Sequence, residues 1–289
     1  MKELGWPFLS SEALAAKALP ERAMRALYDP VYPGVYVPGG IDLTAVQRAE
    51  AAWLWSRRKA VVSGHSAAAL LGANWVDATL NAELIYANRH PPAGIAVHSE
   101  TLLADEVWEV GGIVVTSPAR TVFDIGRRVR SRLRAIQQLD ALVHATDVKD
   151  VDVEAIMPRH FGARGVVRLR RVLPLVDGGA ESPQETRTRL ALVDAGIPAP
   201  RTQIVVRDDY GEFVARIDMG YDDLRVGIEY DGPQHWTNAE QRDRDIDRYS
   251  ALLDLGWVIV RVSSELLKYR QETFISRVVA AMQTAGWRS

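Results

Sequence analysis

One apolar segment in the second half of the chain runs directly into two acidic residues and a tight turn, and this constrains the fold more than any other feature. Residues 226–228 have the composition of a strand, and Glu229 and Asp231 follow just before Gly232-Pro233. The strand end places Glu229 in a cleft, and the turn brings Asp231 beside it. A third acid, Asp218, interrupts the preceding apolar strand, where an unpaired carboxylate is costly unless it serves a site.

The chemistry of these residues predicts a metal site. Carboxylate oxygens are the ligands that Mg²⁺ or Mn²⁺ prefers, so Asp218, Glu229 and Asp231 are the candidate metal ligands. His235, just past the turn, adds a group for proton transfer. This combination favours phosphodiester chemistry. The alternative is that Glu229 and Asp231 are only a charged strand end and a turn residue.

The composition limits the class of protein. A chain of 289 residues is long enough for two domains, and a net charge of -2 gives no overall attraction to nucleic acid. The absence of cysteine excludes disulfides, cysteine zinc sites and thiol nucleophiles. No apolar run reaches membrane-spanning length and the N-terminus lacks a signal-peptide pattern, so the cytoplasm is the expected location.

Positive charge is nevertheless concentrated in two stretches, 127–134 and 159–171, in which arginine dominates. Arginine suits bidentate contacts to phosphate. Solvated helix faces or a GC-rich coding bias are the alternatives. The arginines predicted to contact nucleic acid are Arg128, Arg164, Arg168 and Arg171.

The first half divides into two predicted regions. Residues 1–60 contain two short helices and a hairpin over 29–40, which indicates a winged-helix-like unit; a non-binding helical cap is the alternative. Residues 61–176 alternate between helices and strands and include the basic helices. His65 and His98 in this region are predicted to be structural, because no acidic partner lies near them in sequence. The stretch 177–180, Asp-Gly-Gly-Ala, is the predicted linker.

Residues 181–289 predict the order helix, three strands, helix, strand, helix. The strand over 257–262 is apolar enough to be expected at the centre of a sheet, and one last helix is predicted over 264–285. The fold class is therefore α/β (α+β), with a C-terminal mixed sheet flanked by helices. On the helix before that strand, Asp243, Arg244, Asp247 and Arg248 are expected to form a lattice of ion pairs at the surface or the sheet edge.

The C-terminal half resembles a known superfamily. Arg-Ile-Asp at 216–218, Gly-Ile-Glu-Tyr-Asp-Gly-Pro-Gln-His at 227–235, and the later segments 247–248 and 256–262 are similar to the PD-(D/E)xK nucleases. Their closest likeness is to very-short-patch-repair-like (Vsr-like) endonuclease domains, which have a restriction-endonuclease-like fold. The first half more loosely resembles AbiEi-type antitoxin and regulator proteins, through its predicted wing and the segment 63–72, and 61–176 is expected to be the AbiEi-like region.

The resemblance implies a role for each matching residue. Asp218 and Glu229 correspond to the metal-binding acids, and His235 to the proton-transfer group. Asp231 stands where many relatives carry a lysine, and an aspartate there can ligate a metal or position water. Glu185 stands where many relatives have a helical acid that faces the site, although a capping box with Ser182 explains it equally well.

Three functions remain open at this stage. The first is a Mg²⁺- or Mn²⁺-dependent DNA endonuclease fused to a DNA-binding or antitoxin-like region, acting in repair, defence or a toxin–antitoxin system. The others are a DNA-binding regulator whose nuclease fold no longer cuts, and an RNA nuclease. Duplex DNA is the expected partner, with a second copy of the chain and a regulatory protein as further candidates and no membrane.

Overall fold

The chain forms two compact units in the computed structural model, Met1–Val176 and Asp177–Ser289, called here the N-terminal and C-terminal units. The structure describes residues 5–88, 90–232 and 239–288, and for 239–245 it describes the backbone alone. None of the helices in these ranges has both the length and the apolar character needed to cross a membrane.

The N-terminal unit is a mixture of short strands and helices. Its strands are β1 (Phe8–Leu9), β2 (Tyr28–Tyr32), β3 (Val35–Pro38), β4 (Val61–Val62), β5 (Ala82–Ile85), β6 (Ile95–His98), β7 (Val107–Val110) and β8 (Ile113–Thr116). Its helices are α1 (Ser10–Ala15), α2 (Glu21–Leu27), α3 (Ala45–Trp55), α4 (Gly64–Leu70), α5 (Pro118–Arg128), α6 (Arg132–Thr146), α7 (Asp150–Ile156) and α8 (Val166–Val172).

Two sheets organise this unit. The first has the order β1-β3-β2 and contains the predicted hairpin, together with the two-residue strand β1 that the sequence did not reveal. The second is mixed, with the order β6-β5-β4-β8-β7. Helix α3 starts with a capping box between Thr44 and Gln47, and α5 starts with Ser117 as its cap and Pro118 at its first turn. These local signals explain why α3 begins at Ala45 and α5 at Pro118.

The C-terminal unit has the predicted order of elements. Its strands are β9 (Arg201–Arg207), β10 (Phe213–Tyr221), β11 (Val226–Asp231) and β12 (Val258–Ser263). Its helices are α9 (Pro183–Asp194), α10 (Ala239–Asp254), α11 (Ser264–Tyr269) and α12 (Gln271–Thr284). The single last helix that the sequence predicted is in fact two, because Arg270 leaves the helical conformation with φ -137° and ψ 41°.

The sheet of this unit has the order β12-β11-β10-β9, in which β11 and β12 are parallel and the other pairs antiparallel. Apolar side chains form two clusters. One includes Met219 and Ile228 with residues of α9, α11 and α12, and the other includes Ile217 with Leu252 of α10. The prediction that residues 257–262 form a central strand is wrong. Among the described residues, β12 lies at the end of the sheet, and its Val258 and Arg261 are exposed.

Candidate active site

Asp218 lies where β10 changes from one apolar cluster to the other. Ile217 packs with the α10 cluster and Met219 with the opposite one. The ladder between β10 and β11 begins at the pair Met219 and Ile228. Beyond it, the backbone N–H of Tyr230 donates to Asp218 Oδ2 at 2.8 Å, so this side chain accepts a bond that a ladder carbonyl would otherwise accept. The carboxylate is thereby fixed at the edge of the site, and its second oxygen has no hydrogen-bond partner among the described residues.

The environment of Asp218 disfavours its charged form. Burial raises the pKa of Asp218 to about 6, and the hydrogen bond from Tyr230 only partly offsets this. The negative charges of Glu185 and Glu229 raise the pKa further, while the charge of Arg248 lowers it. Buried carboxylates held close enough to repel each other are typical of functional sites.

Glu229 is the most enclosed acid of the group, with 7% of its surface exposed. Arg248 on α10 donates from Nη1 to Glu229 Oε1 at 2.8 Å and from Nη2 to Oε2 at 3.1 Å. The hydroxyl of Tyr249 also donates to Oε2. Burial and this bond to Glu229 raise the pKa of Tyr249, which keeps the hydroxyl protonated. Both oxygens of Glu229 are therefore engaged by one helix.

Asp231 lies two residues further along β11, and a strand directs such residues to the same face. Its Oδ2 accepts from Arg261 Nη2 on β12 at 2.6 Å. The guanidinium of Arg261 in turn lies 5.4 Å from the centre of the Tyr249 ring. The position where many PD-(D/E)xK nucleases carry a lysine thus holds an acid. Two arginines pair with the acids of this strand, Arg248 with Glu229 and Arg261 with Asp231.

Ser182 caps α9 by accepting from the backbone N–H of Glu185 at 3.2 Å. The Glu185 carboxylate accepts from Ser182 Oγ at 2.8 Å and from the backbone N–H of Glu181 at 2.9 Å, rather than from the backbone N–H of Ser182 that the suggested capping box requires, and Gln203 Nε2 donates to it at 3.3 Å. Burial raises the pKa of Glu185, and these bonds act against the shift. Because its charge also raises the pKa of Asp218, Glu185 combines a capping role with a place beside the candidate site.

The candidate metal ligands Asp218, Glu229 and Asp231 differ in how many of their oxygens already accept hydrogen bonds. Within the ranges that the structure describes, no group of three or more His, Asp or Glu side chains is arranged to hold a metal ion. Mg²⁺ is commonly held by one or two carboxylates together with water and substrate phosphate. One oxygen of Asp218 has no hydrogen-bond partner among the described residues, and the charge of Glu229 is close enough to raise the pKa of Asp218. This pair of carboxylates is therefore compatible with such an ion. His235, the predicted proton-transfer group, lies outside the described residues.

Sequence patterns did not show the partners of Glu229. Arg248 was expected in a surface lattice of ion pairs, but its guanidinium lies against Glu229 and the side chain is 29% exposed. The side chains of Asp243 and Arg244 lie outside the described residues, and Asp247 is exposed. The sequence shows that Arg248 and Tyr249 precede Gly256 and the strand after it, but not which residue they contact. Only the packing of α10 against the sheet shows that both side chains reach one carboxylate.

The four arginines predicted to contact nucleic acid differ in their exposure and in the partners of their guanidinium groups. Arg164 and Arg171 are exposed. Arg168 donates to the backbone carbonyl of Arg127 at the end of α5. Arg128 is enclosed by acids, with ion pairs to Glu83, Glu100 and Asp124, each at 3.1 Å. Its geometry favours a structural role for Arg128 and leaves the exposed pair as the better candidates for phosphate contacts.

His65 and His98 of the N-terminal unit do have an acidic partner. His65 Nδ1 lies 2.6 Å from Glu83, and His98 Nε2 lies 2.9 Å from the same carboxylate. Burial acts to raise the pKa of Glu83, but the bonds from both histidines and the charge of Arg128 outweigh it and lower that pKa. The partner is on β5, at least 15 residues from either histidine in sequence, which is why local inspection did not find it.

Comparison with known proteins identifies both regions. Residues 199–282 match the family model REase_MTES_1575, a restriction-endonuclease-like domain. Residues 60–175 match the AbiEi antitoxin C-terminal domain. Two uncharacterized proteins of Mycobacterium tuberculosis, MT2308 and Rv2248, are each 30% identical over 195 residues, which is 68% of this chain and 70% of theirs. The chain belongs to their family.

These matches confirm the two resemblances seen in the sequence and the mixed α+β fold class. No solved structure matches the chain. A restriction-endonuclease-like domain joined to an AbiEi-like domain supports a nuclease or toxin–antitoxin role, and folds of the first kind generally use divalent metal ions.

The raised pKa of Asp218 predicts how stability depends on pH. The folded pKa of about 6 lies above the unfolded value of 3.8, so the free energy of unfolding falls as the pH rises from about 4 to about 6. Above that range the loss of stability is constant. The shift corresponds to about 3 kcal/mol. In Asp218→Asn this contribution disappears, so the difference in urea-unfolding free energy between variant and wild type should grow over that pH range. A constant difference would contradict the raised pKa.

Proposed function

We propose that the chain is a divalent-metal-dependent DNA endonuclease whose C-terminal unit hydrolyses phosphodiester bonds. The observation that carries the proposal is the pairing of Asp218 and Glu229 inside a restriction-endonuclease-like domain. One oxygen of Asp218 has no hydrogen-bond partner among the described residues, and burial and neighbouring acids raise the pKa of Asp218 to about 6. Such a carboxylate is costly in a fold unless a cation completes it.

Asp218 and Glu229 would hold the metal ion. When bound, a divalent ion neutralises charge on the phosphate and lowers the pKa of a coordinated water, which is the chemistry that phosphodiester hydrolysis requires. Asp231 lies on the same face as Glu229 and would position water, while its bond to Arg261 fixes its orientation. His235 would move the proton of the attacking water or the leaving oxygen.

The N-terminal unit would bind the nucleic acid or control the cleavage. Its hairpin of β2 and β3 follows two short helices, which is compatible with the predicted winged-helix-like unit. Arg164 and Arg171 present exposed guanidinium groups near and on α8. Partners beyond DNA, such as a second copy of the chain or a regulatory protein, and a cytoplasmic location remain predictions.

The exposed arginines give a prediction about DNA binding. Replacing both Arg164 and Arg171 by Ala is expected to weaken duplex binding and to lower the slope of log K against log salt by about 2, because about one counterion is released per phosphate contact. Fluorescence anisotropy over a salt series measures this. Lys149→Ala, which removes one exposed positive charge elsewhere in the N-terminal unit, serves as the control and should leave the slope unchanged. An unchanged slope in the double variant would show that these arginines do not touch phosphate.

Plasmid nicking tests the proposed function. The wild-type chain should convert supercoiled plasmid to nicked or linear forms with Mg²⁺ or Mn²⁺ and should stop when EDTA removes the ion. Single-stranded RNA offered under the same conditions separates a DNA endonuclease from an RNA nuclease. Absence of cleavage with every metal and substrate would reject the endonuclease.

A second function is favoured by one specific observation. Arg248 and Tyr249 occupy Glu229, and Arg261 occupies Asp231, so the acids already have partners within the protein. Such saturation suits a DNA-binding regulator whose nuclease fold no longer cuts. A chain that binds duplex DNA with a marked salt dependence and never cleaves it would establish this alternative.

A further inference from the structure

The carboxylate of Glu229 is held as if a cation were already present. Arg248 makes a bidentate pair with it, at 2.8 and 3.1 Å, and Tyr249 adds a third donor. Bidentate arginine–carboxylate pairs are among the stronger interactions of proteins because both hydrogen bonds are charge-assisted. With only 7% of Glu229 exposed, water screens this pair weakly.

We propose that Arg248 is an internal counter-ion of Glu229 that a divalent metal ion must displace, so that this residue controls metal binding at the site. The inference rests on the proposed metal-dependent function and assigns to Arg248 a positioning role within it. Arg248 acts through Glu229 and is not itself assigned a contact with substrate.

Competition follows from the geometry. The oxygens of Glu229 that a metal would need are those to which the Nη atoms of Arg248 donate. Two positive charges on one small carboxylate repel each other, and repulsion is strong where burial lowers the effective dielectric. Asp218, by contrast, has an oxygen without a partner among the described residues. One ligand of the proposed pair is therefore open, and the other is closed by Arg248.

The side chain of Arg248 has a route out of this position. It is 29% exposed, and its guanidinium lies 4.6 Å from the centre of the Tyr249 ring, a contact that stabilises a cation without a carboxylate. Arg248 and Tyr249 are consecutive residues of α10, so release of Glu229 requires rearrangement of neighbouring side chains of a single helix.

A titration of the full-length chain with Mn²⁺, followed by electron paramagnetic resonance of the free ion, tests the proposal without measuring activity. Arg248→Met removes the counter-ion and keeps much of the side-chain volume. We expect it to bind Mn²⁺ about tenfold more tightly than wild type, equivalent to about 1.4 kcal/mol. Arg248→Lys keeps the charge and should stay near wild type. Arg201→Met breaks an exposed ion pair with Asp222 in the same unit and is the matched control.

Tyr249→Phe provides a second test that does not depend on the folding of Arg248→Met. It removes one donor to Glu229 and preserves the ring, so Mn²⁺ binding should tighten by a smaller factor. Circular dichroism verifies the fold of every variant, and Glu229→Gln should abolish the tightening when combined with Arg248→Met.

The outcomes separate this inference from the proposed function. Tighter binding by Arg248→Met with an unchanged Arg201→Met supports the counter-ion. Equal or weaker binding by Arg248→Met, while wild type still binds Mn²⁺, overturns the counter-ion and leaves the endonuclease standing. Failure of wild type and all variants to bind Mn²⁺ overturns both.

Discussion

Asp218→Asn is expected to lower metal-dependent DNA cleavage by about 100-fold or more while the chain remains folded, since loss of a charged ligand costs at least as much as loss of a supporting group. Asn retains an oxygen that can accept the backbone N–H of Tyr230, so the end of the β10–β11 ladder is preserved. Removing the charge also relieves the repulsion from Glu185 and Glu229. The variant should therefore unfold at the same or a higher temperature than wild type. Initial rates of plasmid nicking and thermal unfolding, measured on the same preparations, test both parts.

Asp222→Asn is the matched control for this substitution. Asp222 belongs to the same unit, and its carboxylate pairs with the exposed Arg201. Its loss should leave the nicking rate unchanged. Cleavage by Asp218→Asn at the wild-type rate would place the activity elsewhere or in a contaminant, whereas a destabilised variant would contradict the unfavourable environment assigned to the Asp218 charge.

Arg120→Met is expected to destabilise the N-terminal unit by about 3 kcal/mol or more. This is the usual cost of removing one partner of a buried ion pair, here the pair of Arg120 with Glu106. Arg120 is fully buried and bonds Glu106 and Glu100 at 2.6 Å each and Asp124 at 3.1 Å. Glu106 and Asp124 are themselves fully buried. Methionine fills a similar volume but supplies no charge, so the fully buried Glu106 loses its arginine partner and keeps only His160 as an ion-pair partner among the described residues. Glu100 and Asp124, by contrast, keep their ion pairs with Arg127 and Arg128.

Urea unfolding of the full chain, monitored by hydrogen exchange in the peptides that cover α5, measures this effect. Arg25→Met is the control, because Arg25 pairs with Glu21 on the surface, where such a pair contributes at most about 1 kcal/mol. Equal stability of the two variants would mean that the buried network contributes no more than a surface ion pair.

Local signals were enough to predict most elements of the fold. Ser117 and Pro118 set the start of α5, and the turn at 208–211 lies between β9 and β10. The errors came from longer-range interactions. Strand β12 reads as buried from its valines, yet its neighbours place it at the end of the described sheet, and β1 is too short to show a period.

The candidate site was predictable in its acids and not in their partners. An acid that interrupts an apolar strand, such as Asp218, is conspicuous in any sequence. The contacts of Glu229 with Arg248, and of His65 and His98 with Glu83, join residues that are 15 to 19 positions apart along the chain. No periodicity relates such residues, because tertiary packing alone brings them together. Arg128 illustrates the same limit: a basic run suggested phosphate contacts, and the fold surrounds this residue with acids.

Location of Mn²⁺ by its anomalous X-ray scattering, in crystals of the full-length chain soaked with the ion, tests whether Asp218 and Glu229 together hold the metal of a nuclease site. We expect an anomalous peak within coordinating distance of both carboxylates, with the guanidinium of Arg248 moved away from Glu229. A peak at other residues, or no peak while Arg248 keeps its bonds to Glu229 at saturating Mn²⁺, would contradict it.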